Sequence, residues 1–139
     1  MDSLDMAGHL IRRLHQLSTQ VFVQRTQAAG FDLTPIQFAA LDAIHNHPGT
    51  DQATVAELIA YDRATIGGVI ERLAQKGWVK RVVSERDRRA RELSLTDEGA
   101  QIREALLPIV QDLQRDILEP LNAAERAQFL ALARRAVRL

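Results

Sequence analysis

The chain has 139 residues, of which 46% are hydrophobic and 26% charged, and its 18 basic and 18 acidic residues cancel. This length and composition are typical of one globular domain and exclude a disordered chain. The sequence contains neither an apolar run of about 18 residues nor a charged-then-apolar leader, so we expect a cytoplasmic protein with no membrane partner. Because it has no cysteine, disulfides, thiolate metal sites and sensing by thiol oxidation are excluded.

Helical periodicity dominates the first part of the chain. Apolar residues recur over residues 4–29, which predicts one long helix that buries more than one face and ends at Gly30. Residues 34–37, Thr-Pro-Ile-Gln, form a capping box with proline at the first helical position, so a second helix should begin there and end at 47–49. Asp51 can cap a third, shorter helix.

The fourth predicted helix follows after two residues, which makes a helix-turn-helix. It is expected to run over residues 63–76, with Asp62 as its cap and Gly77 as its stop. Four apolar side chains at i, i+3, i+4 and i+7 must face the core: Ile66, Val69, Ile70 and Leu73. Small or polar side chains then face outward near its start, which suits a helix lying in the major groove of DNA: Arg63, Ala64, Thr65 and Gly68.

A β-hairpin is predicted next, from residues 78–84 and 91–95, which are rich in β-branched residues or alternate polar with apolar. Its tip, residues 85–90, reads ERDRRA. The stretch 76–91 holds seven Lys or Arg and two acids, a net charge of 7 − 2 = +5 in a chain of zero net charge. Arginine on a narrow loop can contact phosphates or enter a minor groove of DNA. In the alternative interpretation, this charged stretch is only a solvent-exposed surface.

Two helices complete the chain. One should begin at Thr96 and run to about Leu118 with Pro108 inside it, and Asn122 should cap the last. The terminal segments, residues 4–30 and 97–139, carry more apolar surface than one small domain can cover. We therefore interpret them as dimerisation helices, the alternative being that they fold back on their own core.

The hairpin also carries a specific family pattern. Residues 87–90, DRRA, followed by Leu93, Leu95-Thr96 and Gly99, resemble the wing signature D-x-R-A-x-x-L-x-L-T-x-x-G of the MarR (multiple antibiotic resistance regulator) family. Residues 73–81, LAQKGWVKR, are similar to the family's segment that leaves the recognition helix. The resemblance implies a mainly α-helical winged helix-turn-helix in one domain, residues 1–139, with the DNA-binding lobe at 35–96 and the wing at 78–95. It also implies a homodimeric transcription regulator, usually a repressor released by a small ligand.

Double-stranded DNA is therefore the expected partner. The dimer should bind a pseudo-palindromic operator with its two recognition helices about 34 Å apart. The candidate contacts are Arg63, Ala64, Thr65, Gly67, Gly68, Arg72, Arg86, Arg88 and Arg89, with Asp87 bracing a wing arginine. Many family members carry threonine and arginine where this chain has Gly67 and Gly68. That departure is the one feature that favours the alternative of a winged-helix protein-interaction module, whereas the intact basic wing argues against it. A transcription activator would use the same DNA contacts as a repressor.

The first helix suggests an effector site. A guanidinium beside an aromatic wall suits an aromatic carboxylate, and five residues supply such an environment: His9, Arg12, His15, Ser18 and Phe38. Residues 8–14 (GHLIRRL), 48–54 (PGTDQAT) and 62–66 (DRATI) also resemble the family's subgroup that controls aromatic-acid catabolism. In the alternative, Arg12 and Arg13 are solvated or pair with acidic residues of the C-terminal helices.

Catalysis and metal binding find no support in the sequence. It lacks a glycine-rich phosphate loop, a nucleophile elbow and a helix with paired metal ligands, so we expect neither an enzyme nor a cofactor. His45 and His47 are two positions apart and diverge on a helix. No metal site is therefore predicted.

Overall fold

The structure, a computed structural model, describes residues 1–83 and 91–139. As predicted, it is mainly helical with one small hairpin. A 3-10 turn at Ser3–Asp5 precedes the regular elements, which are α1 (Ala7–Ala28), α2 (Pro35–Asn46), α3 (Gln52–Leu58), α4 (Ile66–Gln75), β1 (Val79–Val83), β2 (Arg91–Leu95), α5 (Asp97–Ile117) and α6 (Ala123–Ala136). None of the helices in these two ranges has the length and apolar character needed to cross a membrane.

The structure confirms four predicted helix N-termini, each of which is capped by a side chain. The hydroxyl of Thr34 accepts the Gln37 N–H at 3.2 Å, and the Gln37 side chain accepts the Thr34 N–H at 3.1 Å. Asp51 accepts from Thr54 N–H at 2.7 Å, and the side chains of Thr96 and Asn122 cap α5 and α6 in the same way. Each cap satisfies an N–H that a helix leaves without an internal partner, so these starts are encoded locally.

The predicted start of α4 at residue 63 is wrong, because the helix begins at Ile66. The carboxylate of Asp62 accepts the N–H of Ala64, two residues on, at 3.0 Å, and its carbonyl accepts from Thr65 at 3.1 Å. Asp62 thus closes a tight turn over its own backbone, a conformation in which its side chain competes with helical capping. Residues 63–65 form this turn, and the helix follows it.

The first helix also begins later than predicted, at Ala7 rather than at residue 4. Met6 is extended, with φ −78° and ψ 149°, and separates α1 from the preceding 3-10 turn. Asp2 caps that turn by accepting the Leu4 N–H at 3.0 Å. The apolar periodicity continues across this break, so the pattern alone overestimates the helix.

The hairpin is antiparallel, with Val79 opposite Leu95 and Arg81 opposite Leu93. An additional bridge joins Thr50, just before α3, to Leu93, whose N–H donates to the Thr50 carbonyl at 2.7 Å. This bridge was not predicted from the sequence. It attaches the hairpin to the start of α3 and thereby fixes the hairpin against the helix-turn-helix.

The core lies where α2, α3, α4 and the hairpin meet the second half of α1 and the middle of α5. Its fully buried side chains include Leu41, Ile44, Val55, Ile70, Leu73, Leu93, Leu106 and Leu113. In contrast, Leu10 and Ile11 in the first half of α1 are 49% and 64% exposed. These two side chains are therefore not buried within one chain, whereas Phe22 in the second half of the helix is buried.

Residues 123–136, which form α6, contribute no buried side chain. Leu130 and Leu132 are about half exposed, and Val137 beyond the helix is 63% exposed. Within the single chain, α6 therefore does not reach the core, whereas the other two terminal helices bury Phe22, Leu106 and Leu113 there. A large apolar surface on α1 and α6 is left for a contact outside the single chain.

Candidate nucleic-acid interface

The predicted orientation of α4 is confirmed. Ile66, Val69, Ile70 and Leu73 are all buried, which fixes one face of the helix on the core. The opposite side of its beginning is open, and Arg63, Ala64, Thr65, Gly68 and Arg72 are exposed. A Cβ built on Gly68 would meet no described atom within 4 Å. The edge of a DNA groove can therefore approach this surface closely.

The two glycines of α4 differ in their surroundings. Gly67 is half-buried, and a Cβ on it would lie 3.8 Å from Nε2 of Gln52 at the start of α3. Gly68 faces open space. Gly67 therefore lies at the contact between the two helices of the helix-turn-helix, whereas Gly68 lies on its outer surface.

An open cleft of about 580 Å³ separates the start of α4 from the hairpin. Three arginines from three different elements line it: Arg63 in the turn before α4, Arg81 on β1 and Arg91 on β2. Arg81 and Arg91 belong to the basic stretch 76–91, but the sequence alone predicted no individual role for them. Strand alternation is the signal that could have found them, because residues 81, 91 and 93 share one face of the hairpin.

The charges around the cleft are ordered by hydrogen bonds. Glu71 on α4 accepts a hydrogen bond from Arg81 at 2.5 Å. Asp51 lines the same cleft, but the N–H of Thr54 holds its carboxylate at the start of α3 and, with nearby Arg63, keeps the pKa of Asp51 below its ordinary value. The three arginines that line the cleft can therefore face a polyanion.

Four of the predicted contacts, Arg86, Asp87, Arg88 and Arg89, lie outside the described residues. The hairpin strands that lead to them are both present, with Val83 opposite Arg91 at the last described pair. Their roles as DNA contacts and brace stay predictions from the sequence.

The five predicted effector-site residues do not line one cavity within the described single chain. Phe38 is buried in the core, with its ring 6.3 Å from that of Phe22. Ser18 lines a largely apolar cavity of about 240 Å³ between α1, α5 and α6. His9 is half-buried on α1, whereas Arg12 and His15 are exposed. This set therefore stays a prediction.

Metal ligands are not grouped in the described part of the chain. Across residues 1–83 and 91–139, no three histidine or acidic side chains lie close enough to hold an ion together. The prominent chemistry of the site is therefore the cationic cleft beside an exposed helix start.

Comparison with known proteins places this geometry among transcription regulators. A sequence model described as the MarR family matches residues 31–90. The chain is 35% identical over 136 residues to the HTH-type transcriptional repressor NicR of Pseudomonas putida, a match that covers 98% of this chain and 85% of NicR.

Two solved structures are similar over nearly the whole chain. The PcaV transcriptional regulator of Streptomyces coelicolor, in complex with its natural ligand, superposes with a TM-score of 0.88 at 35% identity and covers 99% of this chain and 96% of PcaV. BpsR of Bordetella bronchiseptica, whose DNA binding is regulated by 6-hydroxynicotinic acid, superposes with a TM-score of 0.90 at 29% identity and covers 100% of this chain and 98% of BpsR.

Proposed function

The chain belongs to the MarR family of winged helix-turn-helix transcription regulators, and from this premise we propose that it is a homodimeric repressor that an aromatic acid releases from its operator. It acts in the cytoplasm on double-stranded DNA. The observation that carries the proposal is the exposed start of α4 beside a cleft lined by three arginines.

DNA binding follows from how this surface is built. The buried stripe of α4 holds the helix so that Arg63 and Thr65 point away from the core, where side chains of their kind can bond to base edges in a major groove. Arg88 and Arg89 on the wing supply backbone or minor-groove contacts that do not depend strongly on sequence. The relatives named above support DNA binding as the activity of the chain.

Dimerisation follows from the apolar surface that the single chain leaves exposed. The first half of α1 and the whole of α6 present leucine and isoleucine to solvent, including Leu10, Ile11, Leu130 and Leu132. A second copy buries these side chains symmetrically, as closed homodimers do. Two recognition helices can then meet successive major grooves about 34 Å apart.

The effector is proposed to be an aromatic carboxylate held by Arg12, with His9, His15, Ser18 and Phe38 around it. A guanidinium holds a carboxylate through two parallel bonds. Because one chain does not gather these residues, the bound state requires either the partner's α1 or a shift of α1 against α2. That requirement provides the mechanism, since a ligand that prefers lobes spaced wrongly for DNA lowers operator affinity by shifting the population.

The test is a binding titration with the DNA upstream of the protein's own gene, followed by fluorescence anisotropy in the presence of benzoates, cinnamates and hydroxynicotinates. We expect tight, salt-sensitive binding that at least one acid releases, and weaker release by the matching amide. Binding of no DNA fragment would favour the protein-interaction alternative. Binding that no acid alters would remove the effector and leave the DNA-binding function standing.

A further inference from the structure

The hairpin has one face turned towards α4, and this face changes character along its length. Side chains alternate across a strand, so residues 79 and 81 of β1 share a face with residues 91, 93 and 95 of β2. Near the helix-turn-helix this face is apolar, with Val79 3% exposed and Leu93 fully buried. Towards the wing tip it carries the half-exposed Val83 together with Arg81 and Arg91, and the two arginines line the cleft.

A carboxylate of the recognition helix pairs with one of these arginines. This carboxylate belongs to Glu71 on α4. Its negative charge repels phosphates, so it does not itself favour DNA binding. Its oxygen instead accepts a hydrogen bond from Arg81 at 2.5 Å. The side chain of Arg81 is 31% exposed and that of Glu71 50%. The pair therefore joins the recognition helix to the root of the wing at the surface.

We propose that Glu71 is a positioning residue that orients Arg81, and that Arg81 with Arg63 and Arg91 forms a clamp for a phosphodiester of the DNA backbone between the recognition helix and the wing. This inference rests on the proposed DNA-binding function. It adds Glu71, Arg81 and Arg91 to the DNA-binding surface.

The chemistry of the guanidinium supports the assignment. Arginine carries five N–H donors in a planar fork, so one bond to Glu71 fixes its plane and leaves donors for a phosphate. Fixing the side chain beforehand lowers the entropy lost when the phosphate binds. Asp51 competes little, because the Thr54 N–H holds its carboxylate at 2.7 Å.

Lys80 offers a matched control on the same strand. It is also an exposed cation of β1, but alternation places it on the outer face of the hairpin, opposite Ser94. Its removal changes the net charge of the protein as much as the removal of Arg81 does. A general electrostatic effect would therefore act on both variants alike.

The experiment measures operator affinity over a series of salt concentrations for the wild type, Arg81→Gln and Lys80→Gln. We expect Arg81→Gln to lose about tenfold in affinity, as for one charged hydrogen-bonded contact. The slope of log K against log salt should fall in magnitude by about 0.9, the value for one phosphate contact. Lys80→Gln should lose less than twofold with its slope unchanged. Equal behaviour of the two variants would overturn the clamp.

Glu71→Gln separates positioning from repulsion. If Glu71 orients Arg81, this variant binds DNA more weakly than the wild type, whereas relief of repulsion alone would make it bind more tightly and would overturn the proposal. In the Arg81→Gln background, Glu71→Gln should cause no further loss. Arg81→Lys, which keeps the charge without the fork, should retain the salt slope and lose part of the affinity.

The melting temperature of each variant shows whether the fold is kept. A wild-type protein that binds no DNA would refute the proposed function together with this inference. A wild type that binds DNA, with an Arg81→Gln variant that binds equally well, would refute the clamp alone.

Discussion

Arg103 on α5 donates two hydrogen bonds, of 3.0 and 2.8 Å, to a single carboxylate oxygen of Asp42 on α2. The Arg103 side chain is only 15% exposed. Among the described residues, this is the one ion pair that joins α5 to α2. It therefore links a helix of the proposed dimerisation region to the DNA-binding lobe.

Replacing Arg103 with alanine should lower the free energy of unfolding by about 1–2 kcal/mol, because the half-shielded Asp42 carboxylate loses its charged partner. Denaturant unfolding at one fixed protein concentration would measure it, since dimer stability depends on concentration. Arg115→Ala is the control. That side chain is 75% exposed and lies 3.7 Å from Asp112, so its loss should cost less than about 0.5 kcal/mol. Equal effects would show that the Asp42 pair is an ordinary surface contact.

Gly99 should tolerate no side chain. A Cβ built there would lie 2.0 Å from the carbonyl oxygen of Trp78, a backbone atom that cannot move aside cheaply. We expect Gly99→Ala to destabilise the protein by about 3 kcal/mol, at the upper end for overpacking. Gly68→Ala is the matched control, because its Cβ meets open space and alanine should stabilise the helix by up to about 1 kcal/mol. Thermal unfolding of the two variants should therefore shift in opposite directions.

Gly68 provides the sharpest test of the recognition surface. Gly68→Leu should abolish operator binding while the melting temperature stays the same or rises, because the bulky side chain projects into space that DNA must occupy. Arg63→Ala or Thr65→Ala should cost roughly 1–3 kcal/mol on the operator and less on random DNA. Unimpaired operator binding by Gly68→Leu would contradict the placement of DNA on this face.

Loss of the wing arginine Arg89 should act differently. Arg89→Ala is expected to weaken binding to operator and random DNA alike and to reduce the salt slope by about one unit per lost phosphate contact. Anisotropy titrations at several salt concentrations would measure both quantities. An unchanged affinity and slope would show that the wing tip does not contact the backbone.

Arg12→Ala should separate ligand response from DNA binding. An aromatic acid that binds one folded state should raise the melting temperature of the wild type by mass action and release its DNA. The variant should bind the operator normally and lose both responses. Calorimetric titration with an acid and its amide supplies the check: equal binding of the two by the wild type would contradict a carboxylate anchored by a guanidinium.

Acid should weaken the contact between α1 and α5. Hydrogen bonds from Arg25, which pairs with Asp112 and Asp116, hold the pKa of Asp112 below its ordinary value. Because the folded-state pKa is depressed, this stabilisation is fully present above the unfolded value of about 3.9 and is lost as pH falls through the folded value.

Arg25→Gln should therefore lose less stability than the wild type when pH falls from about 5 to 3. Without Arg25, Asp112 protonates over a similar pH range in the folded and unfolded states, so its protonation changes the free energy of unfolding less. Denaturant midpoints at a series of pH values would show the difference. Arg115→Gln, which removes the weaker partner of Asp112, should follow the wild type. Parallel curves for the wild type and Arg25→Gln would rule out this pair as a source of acid sensitivity.

The sequence encoded the features that depend on neighbours within about four residues. The capping box at Thr34 and the caps at Asp51, Thr96 and Asn122 lie where they were predicted, because each satisfies an N–H three residues away. The buried stripe of α4 was equally readable, since its spacing follows from the helical repeat. The wing signature identified the family through residues that are close in the chain.

Only the tertiary structure decided which distant groups meet. Thr50 bridges to Leu93, and Gly67 lies against Gln52. The cleft between α4 and the hairpin brings Arg63, Arg81 and Arg91 together. These relationships join residues up to 43 positions apart, and they depend on how the elements pack, which no local propensity or periodicity specifies. The apolar faces of α1 and α6 were visible in the sequence, but only packing showed that one chain leaves them uncovered.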